Sequence, residues 1–130
     1  MPTPTAEQSR ALAKEYSELA SALADYRFTS WDELNAAQRA EIESQEWTLR
    51  RMSSEMANQA IHLTVEASDS TIAEISRAVA RLKSAVRHVA EVKRALTIAA
   101  AAVTLGGAIA SEDGLAIGEA LRKAWSVAER

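Results

Sequence analysis

Apolar residues recur every three or four positions along most of the chain, a spacing that places them on one face of an α-helix. Four stretches have this spacing, at about residues 6–27, 31–67, 72–105 and 115–128. The chain of 130 residues has only four glycines and two prolines, and both prolines lie within its first four residues. With so few chain breakers, long helices are expected. The pattern therefore predicts an all-α protein, with residues 1–130 forming a single helical domain.

Three capping boxes indicate where helices start. In a capping box, a Ser or Thr side chain bonds the backbone N–H of the third residue after it, and a Glu or Gln at that residue bonds back. Thr5–Gln8, Ser30–Glu33 and Thr71–Glu74 have this spacing. We therefore expect the first three helices to begin just after Thr5, Ser30 and Thr71.

The third predicted helix has the most regular pattern. Its apolar positions alternate between spacings of three and four, the heptad spacing of a coiled coil. We expect it to pack against the second helix as a long antiparallel hairpin, with shorter helices at the two ends forming a three- to four-helix bundle. The same spacing also suits pairing with another copy of the chain. The predicted interaction seam consists of Ile75, Val79, Leu82, Val86, Val89 and Leu96.

The second predicted helix has a less regular seam. Asn35, Gln38, Gln45 and Gln59 interrupt its apolar residues at the same heptad spacing. Polar seam residues lower stability but help to fix the register and the number of partners. An alternative is that this helix contacts two neighbours and so has two apolar faces. Trp31 and Trp47 are then expected to be core or interface residues.

Residues 95–111 contain no charged side chain and are rich in alanine and glycine. One interpretation is a dense part of the core, where small side chains let the last helix dock closely. Another is a hairpin at 95–118 that contacts a membrane or docks on another protein, since small residues every fourth position favour close helix packing in lipid. The residues of this candidate hairpin are Leu96, Ile98, Val103, Leu105, Gly106, Gly107, Ile109, Leu115 and Ile117.

Charge is distributed unevenly, although the formal net charge is only −3. Acidic residues outnumber basic ones before residue 70, whereas residues 71–95 are strongly basic. Packing of the two parts against each other explains this asymmetry, and an anionic surface or acidic partner is the alternative. The small net charge argues against a nucleic-acid-binding function. The candidate anionic-surface contacts are Arg77, Arg81, Lys83, Arg87, Lys93 and Arg94.

The chain has few groups that could perform chemistry. It has no cysteine, and its only histidines are His62 and His88. Glu66 and Glu91 lie one helical turn after these histidines, but each pair supplies two metal ligands where a site needs three or four. Gly106 and Gly107 have no Gly-Lys-Ser/Thr sequence after them, so they do not form a phosphate-binding loop. We therefore expect no catalytic residues, no metal site, no cofactor and no enzyme activity.

These observations favour a non-catalytic helical module for protein–protein interaction or assembly, one that associates with itself. Two alternatives remain: a membrane-active component that uses the 95–118 hairpin, and a small immunity or antitoxin-type protein that binds through its acidic half. The first ten residues lack the apolar core of a secretory signal, so a cytoplasmic location is expected as the chain is made. Peripheral membrane binding or signal-independent export are the alternatives.

Overall fold

The computed structural model describes residues 4–58, 69–110 and 114–129. They form five α-helices: α1 (Pro4–Thr29), α2 (Ala36–Asn58), α3 (Asp69–Arg87), α4 (Val92–Ala110) and α5 (Gly114–Glu129). A single 3₁₀ turn at Trp31–Glu33 lies between α1 and α2. Within these three ranges the chain contains no strand, so the prediction of an all-α protein is confirmed. The fourth predicted helix, at 115–128, corresponds to α5.

The start of α2 differs from the prediction. Ser30 makes no side-chain capping bond, and the chain is extended at Leu34 before the helix begins. The capping box instead joins Asn35 and Gln38: Asn35 Oδ1 accepts from the Gln38 backbone N–H at 2.8 Å, and Gln38 Oε1 accepts from the Asn35 N–H at 2.9 Å. The predicted start at residue 31 is therefore wrong, and these two residues cap the helix instead of lying in a seam. Asparagine is among the best N-cap residues.

The other predicted boundaries of the first three helices differ less. α1 and α3 begin one and two residues before the predicted capping residues Thr5 and Thr71. Helix ends commonly shift by this much between one criterion and another. The last nine residues of the predicted helix at 31–67, which include Gln59, lie beyond residue 58 and outside the described residues.

The predicted helix at 72–105 is two helices, separated by residues 88–91. α3 ends with two shortened bonds, from the His88 and Val89 N–H groups to carbonyls three residues earlier, both at 3.2 Å. Bonds of this i→i−3 type tighten a last helical turn. The next helical bond runs from Ala95 N to Glu91 O. Because no glycine or proline lies at 88–91, the local sequence contains no signal for this break.

The packing order also differs from the predicted hairpin. α1 lies between α2 and α3 and packs along both, whereas α2 and α3 make few direct contacts. α4 packs against α5 and α2, and α5 also packs against α3. The break after α3 allows this arrangement, since α4 turns away from the α1–α3 contact. The largest side chains buried in the shared core are Leu12, Tyr16, Leu19, Leu23, Ile42, Leu49, Ile75, Leu82, Ile98, Leu105 and Ile109.

Candidate interaction surface

The predicted interaction seam lies inside the protein. Ile75, Val79, Leu82 and Val86 are buried, and Val89 and Leu96 are partly buried against the same core. The first four belong to α3, whose neighbours are α1 and α5. The regular spacing that predicted a coiled-coil partner is thus satisfied within one chain. A second copy would have no access to this seam in the folded protein.

The candidate hairpin at 95–118 is divided between core and surface. Helix α4 is long and apolar enough to cross a membrane by length and composition, but half of that window is buried in the fold. Of the proposed hairpin residues, Ile98, Leu105, Gly106, Ile109 and Ile117 are buried, Leu96 and Val103 are partly buried, and Gly107 and Leu115 are exposed. The buried members supply the contacts of α4 and α5 with the rest of the core.

Two adjacent glycines in α4 have different surroundings. A β-carbon at Gly106 would lie 2.5 Å from the Met52 sulfur and 3.3 Å from Tyr16 Cε2, so α4 approaches α2 and α1 closely there. Nothing lies within 4 Å of the same position at Gly107. Beside Gly106, the buried Tyr16 hydroxyl donates to the Ala102 carbonyl at 2.7 Å, and burial raises the pKa of Tyr16 above its ordinary value. The small residues of α4 thus permit tight packing in this part of the core.

The basic residues of 71–95 fall into two groups. Lys83 donates to Glu15 at 3.0 Å and to Glu18 at 2.5 Å, which ties α3 to α1. These hydrogen bonds raise the pKa of Lys83, and the one to Glu18 lowers the pKa of that carboxyl. Arg94 donates to the Val127 carbonyl near the end of α5. Lys83 is therefore paired with the acidic first part of the chain and Arg94 with α5, whereas Arg77, Arg81, Arg87 and Lys93 are exposed.

Two aromatic rings stand exposed at the corner between α1 and α2. Phe28 and Trp31 are 64% and 42% exposed, and their rings are nearly parallel with centroids 6.3 Å apart. The Arg27 guanidinium lies 4.6 Å from the Phe28 centroid, and that of Arg39 lies 4.4 Å from the Trp31 centroid. Arg39 also donates to the Trp31 carbonyl from Nε and Nη2, at 3.1 and 2.7 Å. The rings are thus held from both sides by cation–π contacts.

A buried ion pair fixes the corner to the body of the protein. Arg27 Nε and Nη2 donate to the two carboxylate oxygens of Glu46, at 2.7 and 3.1 Å. Glu46 is only 5% exposed, and its hydrogen bond raises the pKa of Arg27. A second carboxylate, that of Glu43, lies 3.8 Å from Arg27 Nη1. This paired, two-bond geometry joins the end of α1 rigidly to α2.

Trp47 is a further exposed aromatic residue on α2. It is 67% exposed and follows Glu43 by one helical turn, on the outer side of the helix. Among the described residues, four large apolar side chains are exposed, and three of them belong to the α1–α2 part of the fold. The fourth, Leu115, is on α5. We call the surface formed by Phe28, Trp31, Arg39 and Trp47 the aromatic face.

The aromatic face was largely missed from the sequence. Trp31 and Trp47 were expected in the core or an interface, and the sequence analysis assigned no role to Phe28. A usable signal was the position of Trp47, which is out of phase with the buried residues Ile42 and Leu49 of the same helix. That phase places Trp47 on the outer side of α2.

The surface cavities offer few side chains that could catalyse a reaction or bind a metal ion. A cavity of about 420 Å³ at the α3–α4 junction is lined by His88, Glu91 and Arg94 together with apolar residues. No group of three or more His, Cys, Asp or Glu side chains that could hold a metal ion occurs in the part of the chain that the structure describes. His62 lies outside that part.

Comparison with known proteins adds no family assignment. No protein-family model matches the chain, and no curated protein or solved structure matches it significantly.

Proposed function

We propose that this chain is a non-catalytic helical module that acts by binding another protein chain through its aromatic face. The observation that supports the proposal most is that Phe28, Trp31 and Trp47, three of the four large apolar side chains exposed among the described residues, all belong to the α1–α2 part of the fold. Tryptophan and arginine are enriched among the residues that supply most of the binding energy in protein interfaces. Contiguous exposed apolar surface on a soluble protein commonly marks an interaction site.

The rigidity of the aromatic face supports this proposal. Arg27 is fixed by Glu46, and Arg39 is fixed by the Trp31 carbonyl, so the stacked rings are held in place without a partner. A side chain that is already ordered loses little conformational entropy on binding. The buried Arg27–Glu46 pair is also costly to desolvate. A role in positioning the corner accounts for its presence.

The proposal can be tested by site-specific photo-crosslinking. A photoreactive phenylalanine analogue would replace Trp47 in the full-length chain, expressed in the cells that naturally make it. Arg77 on α3 is the matched control, because it is exposed on a different helix. We expect a protein adduct from position 47 and none from position 77. Equal labelling at both sites, or no adduct at position 47, would overturn the proposal.

The identity of the adduct would specify the kind of module. Cross-linking to a second copy would indicate self-association, and cross-linking to a scaffold protein would indicate assembly. A toxin as the adduct would instead support the immunity-type function expected from the acidic half of the chain.

We propose membrane contact as a second candidate function. It is supported by the length and apolar composition of α4 and by Leu115, which is 83% exposed at the start of α5. Insertion of α4 would require it to leave the core, where Ile98 and Leu105 are buried. The test is flotation of the purified protein with anionic liposomes, beside Leu115→Glu. Flotation that this variant abolishes would support membrane contact, and absence of flotation would exclude it.

A further inference from the structure

We infer that the partner at the aromatic face is a second copy of the chain, with the two α2 helices packed antiparallel about a two-fold axis. This inference rests on the proposed function and specifies its partner. Symmetric dimers are the commonest protein oligomers, and in them one surface patch must complement itself. The outer side of α2 has two properties that meet this requirement.

The first property is the arrangement of large and small side chains. Ala36, Ala40, Glu43 and Trp47 are all exposed, and their spacing of four, three and four residues places them on one side of α2. This side is opposite the buried residue Ile42. Trp47 is the only large apolar residue of the four, and the two alanines leave room on the surface about two and about three turns before it.

An antiparallel arrangement brings the large and small residues together. A two-fold axis passing between Glu41 and Ile42 places Trp47 of one copy opposite Ala36 of the other, and Glu43 opposite Ala40. Each tryptophan then fits over a small residue, as knobs fit into holes where helices pack side by side. The contact occurs twice because of the symmetry.

The second property is the distribution of charge along the same edge. Asp32 and Glu33 lie just before α2, and Arg50 and Arg51 lie one turn after Trp47; all four are exposed. Arg51 makes a long surface ion pair with Glu55 at 3.9 Å, and the other three form no ion pair within the described residues. One end of the edge is therefore acidic and the other end is basic.

The same axis pairs these opposite ends. In the register that places Trp47 over Ala36, the acidic turn before α2 of one copy, with Asp32 and Glu33, lies near the part of the other α2 that carries Arg50 and Arg51. A parallel arrangement would instead place like charges together, which is unfavourable. Side-chain size and charge thus favour the same antiparallel register, and this agreement between two independent properties is what points to a second copy.

The first experiment is a charge-reversal series followed by sedimentation equilibrium on the purified full-length protein. One variant carries Arg50→Glu with Arg51→Glu, and the other carries Asp32→Lys with Glu33→Lys. We expect the unaltered protein to dimerise, and each variant alone to lose the dimer through repulsion at both ends. An equimolar mixture of the two should recover the dimer, because every contact between them is again acidic against basic.

The matched control reverses two arginines on another helix. Arg77→Glu with Arg81→Glu changes the net charge as much as the α2 variant does, but on exposed positions of α3. The control should remain dimeric, and circular dichroism should show all variants to be helical. A protein that stays monomeric at its highest soluble concentration would overturn the inference. Failure of the mixture to dimerise, or loss of the dimer in the control, would overturn it as well.

The second experiment tests the direction of the two helices. Because the chain lacks cysteine, Ala40→Cys and Ser54→Cys each provide a single site for a spin label. In the antiparallel dimer, labels at position 40 lie close to the axis, whereas those at position 54 are about 38 Å apart along the helix direction. A parallel dimer would give similar short distances at both positions, and that result would overturn the inference.

The two proposals fail in different ways. A monomeric purified protein whose position 47 cross-links to a different protein in cells would retain the proposed function and overturn the second-copy inference. A monomeric protein that gives no adduct would overturn both.

Discussion

Helices α3 and α4 come from one uninterrupted run of apolar spacing, yet they are held in the fold by different means. α3 alternates charged and apolar residues and buries a stripe of large side chains, such as Val79 and Leu82. α4 contains no charge after Arg94 and buries five alanines and Gly106 beside the larger Ile98, Leu105 and Ile109. α3 is thus anchored mainly by large side chains, whereas α4 combines large side chains with a close approach of its backbone to its neighbours.

The difference has a physical basis in side-chain size. Burying a large aliphatic side chain contributes about 1.5–3 kcal/mol, so a few residues in one stripe suffice to anchor α3. An alanine buries far less surface. The small residues of α4 instead add stability through the dense packing around them, as Met52 and Tyr16 pack around Gly106. α3 should therefore be most sensitive to polarity changes, and α4 to increases in volume.

The largest expected effect is on α3. Val86→Asp places a carboxylate where the native side chain is 2% exposed, and we expect it to lower the free energy of unfolding by more than about 4 kcal/mol. Ser84→Asp adds the same charge at an exposed position of the same helix and should change stability by less than about 0.5 kcal/mol. Urea unfolding curves of both variants measure the difference. Similar midpoints for the two would contradict the assignment of α3 as a core helix.

The next largest expected effect is a difference in stability between substitutions at the two glycines of α4. Gly106→Leu should lower the free energy of unfolding by about 1–3 kcal/mol, because the new side chain collides with Met52 and Tyr16. Gly107→Leu should raise it by up to about 1 kcal/mol, because the position is open and leucine favours helix more than glycine does. Thermal melts should therefore move in opposite directions. Destabilisation by both changes would mean that the close approach is not confined to Gly106.

A smaller effect tests the hydrogen bond that supports α4. Tyr16→Phe removes the hydroxyl that donates to the Ala102 carbonyl and keeps the buried ring. We expect a loss of about 1 kcal/mol in the free energy of unfolding, the usual net value of such a bond. Tyr26→Phe is the comparison variant, because it also removes a hydroxyl from a buried α1 ring, but one that bonds the Ser30 side chain and not α4. An unchanged denaturation midpoint for Tyr16→Phe would show that ring packing alone positions α4 there.

The smallest effect concerns the ion pairs that tie α3 to α1. The pKa of Glu18 is lowered in the folded protein, so its stabilisation is present above the ordinary pKa of about 4.3 and is lost as the pH falls through the folded value. The pKa of Lys83 is raised, so its stabilisation is present below about pH 10.4 and is lost as the pH rises further. Between these limits both contributions are present.

Lys83→Met should therefore reduce stability at neutral pH and differ less from the unaltered protein below about pH 4. Lys93→Met, an exposed position on α4, should show no such pH dependence. Denaturation midpoints measured between pH 3 and 8 test both expectations. If the denaturation midpoints of Lys83→Met and the unaltered protein differed by the same amount across this range, the ion pairs would contribute nothing to the loss of stability at low pH.

Helix formation itself could be read from local sequence because it depends on nearby residues. The apolar periodicity of α1 and α5 predicted both helices to within two residues at each end. The start of α2 was missed because two capping boxes follow one another, Ser30–Glu33 and Asn35–Gln38, and only the second forms its hydrogen bonds. A spacing rule does not decide between such neighbours.

The break between α3 and α4 shows the limit of periodicity. Val86, Val89 and Leu96 keep the same heptad phase on both sides of it, so the pattern predicted one helix. Breaking the helix lets α4 pack against α2 and α5, and the core gained by this packing compensates for the lost helical bonds. That compensation depends on residues distant in sequence.

The exposure of the aromatic face also depends on residues far apart in sequence. The phase of Trp47 places it away from Ile42 and Leu49, but only the packing of the other helices against α2 decides that this side stays exposed. The sequence by itself determined the helical class, the amphipathic stripes and the absence of cysteine, because these follow from residue type and from the spacing of apolar residues along the chain. Only the tertiary structure decided which stripes face each other and which apolar residues remain exposed, because both depend on contacts between residues far apart along the chain.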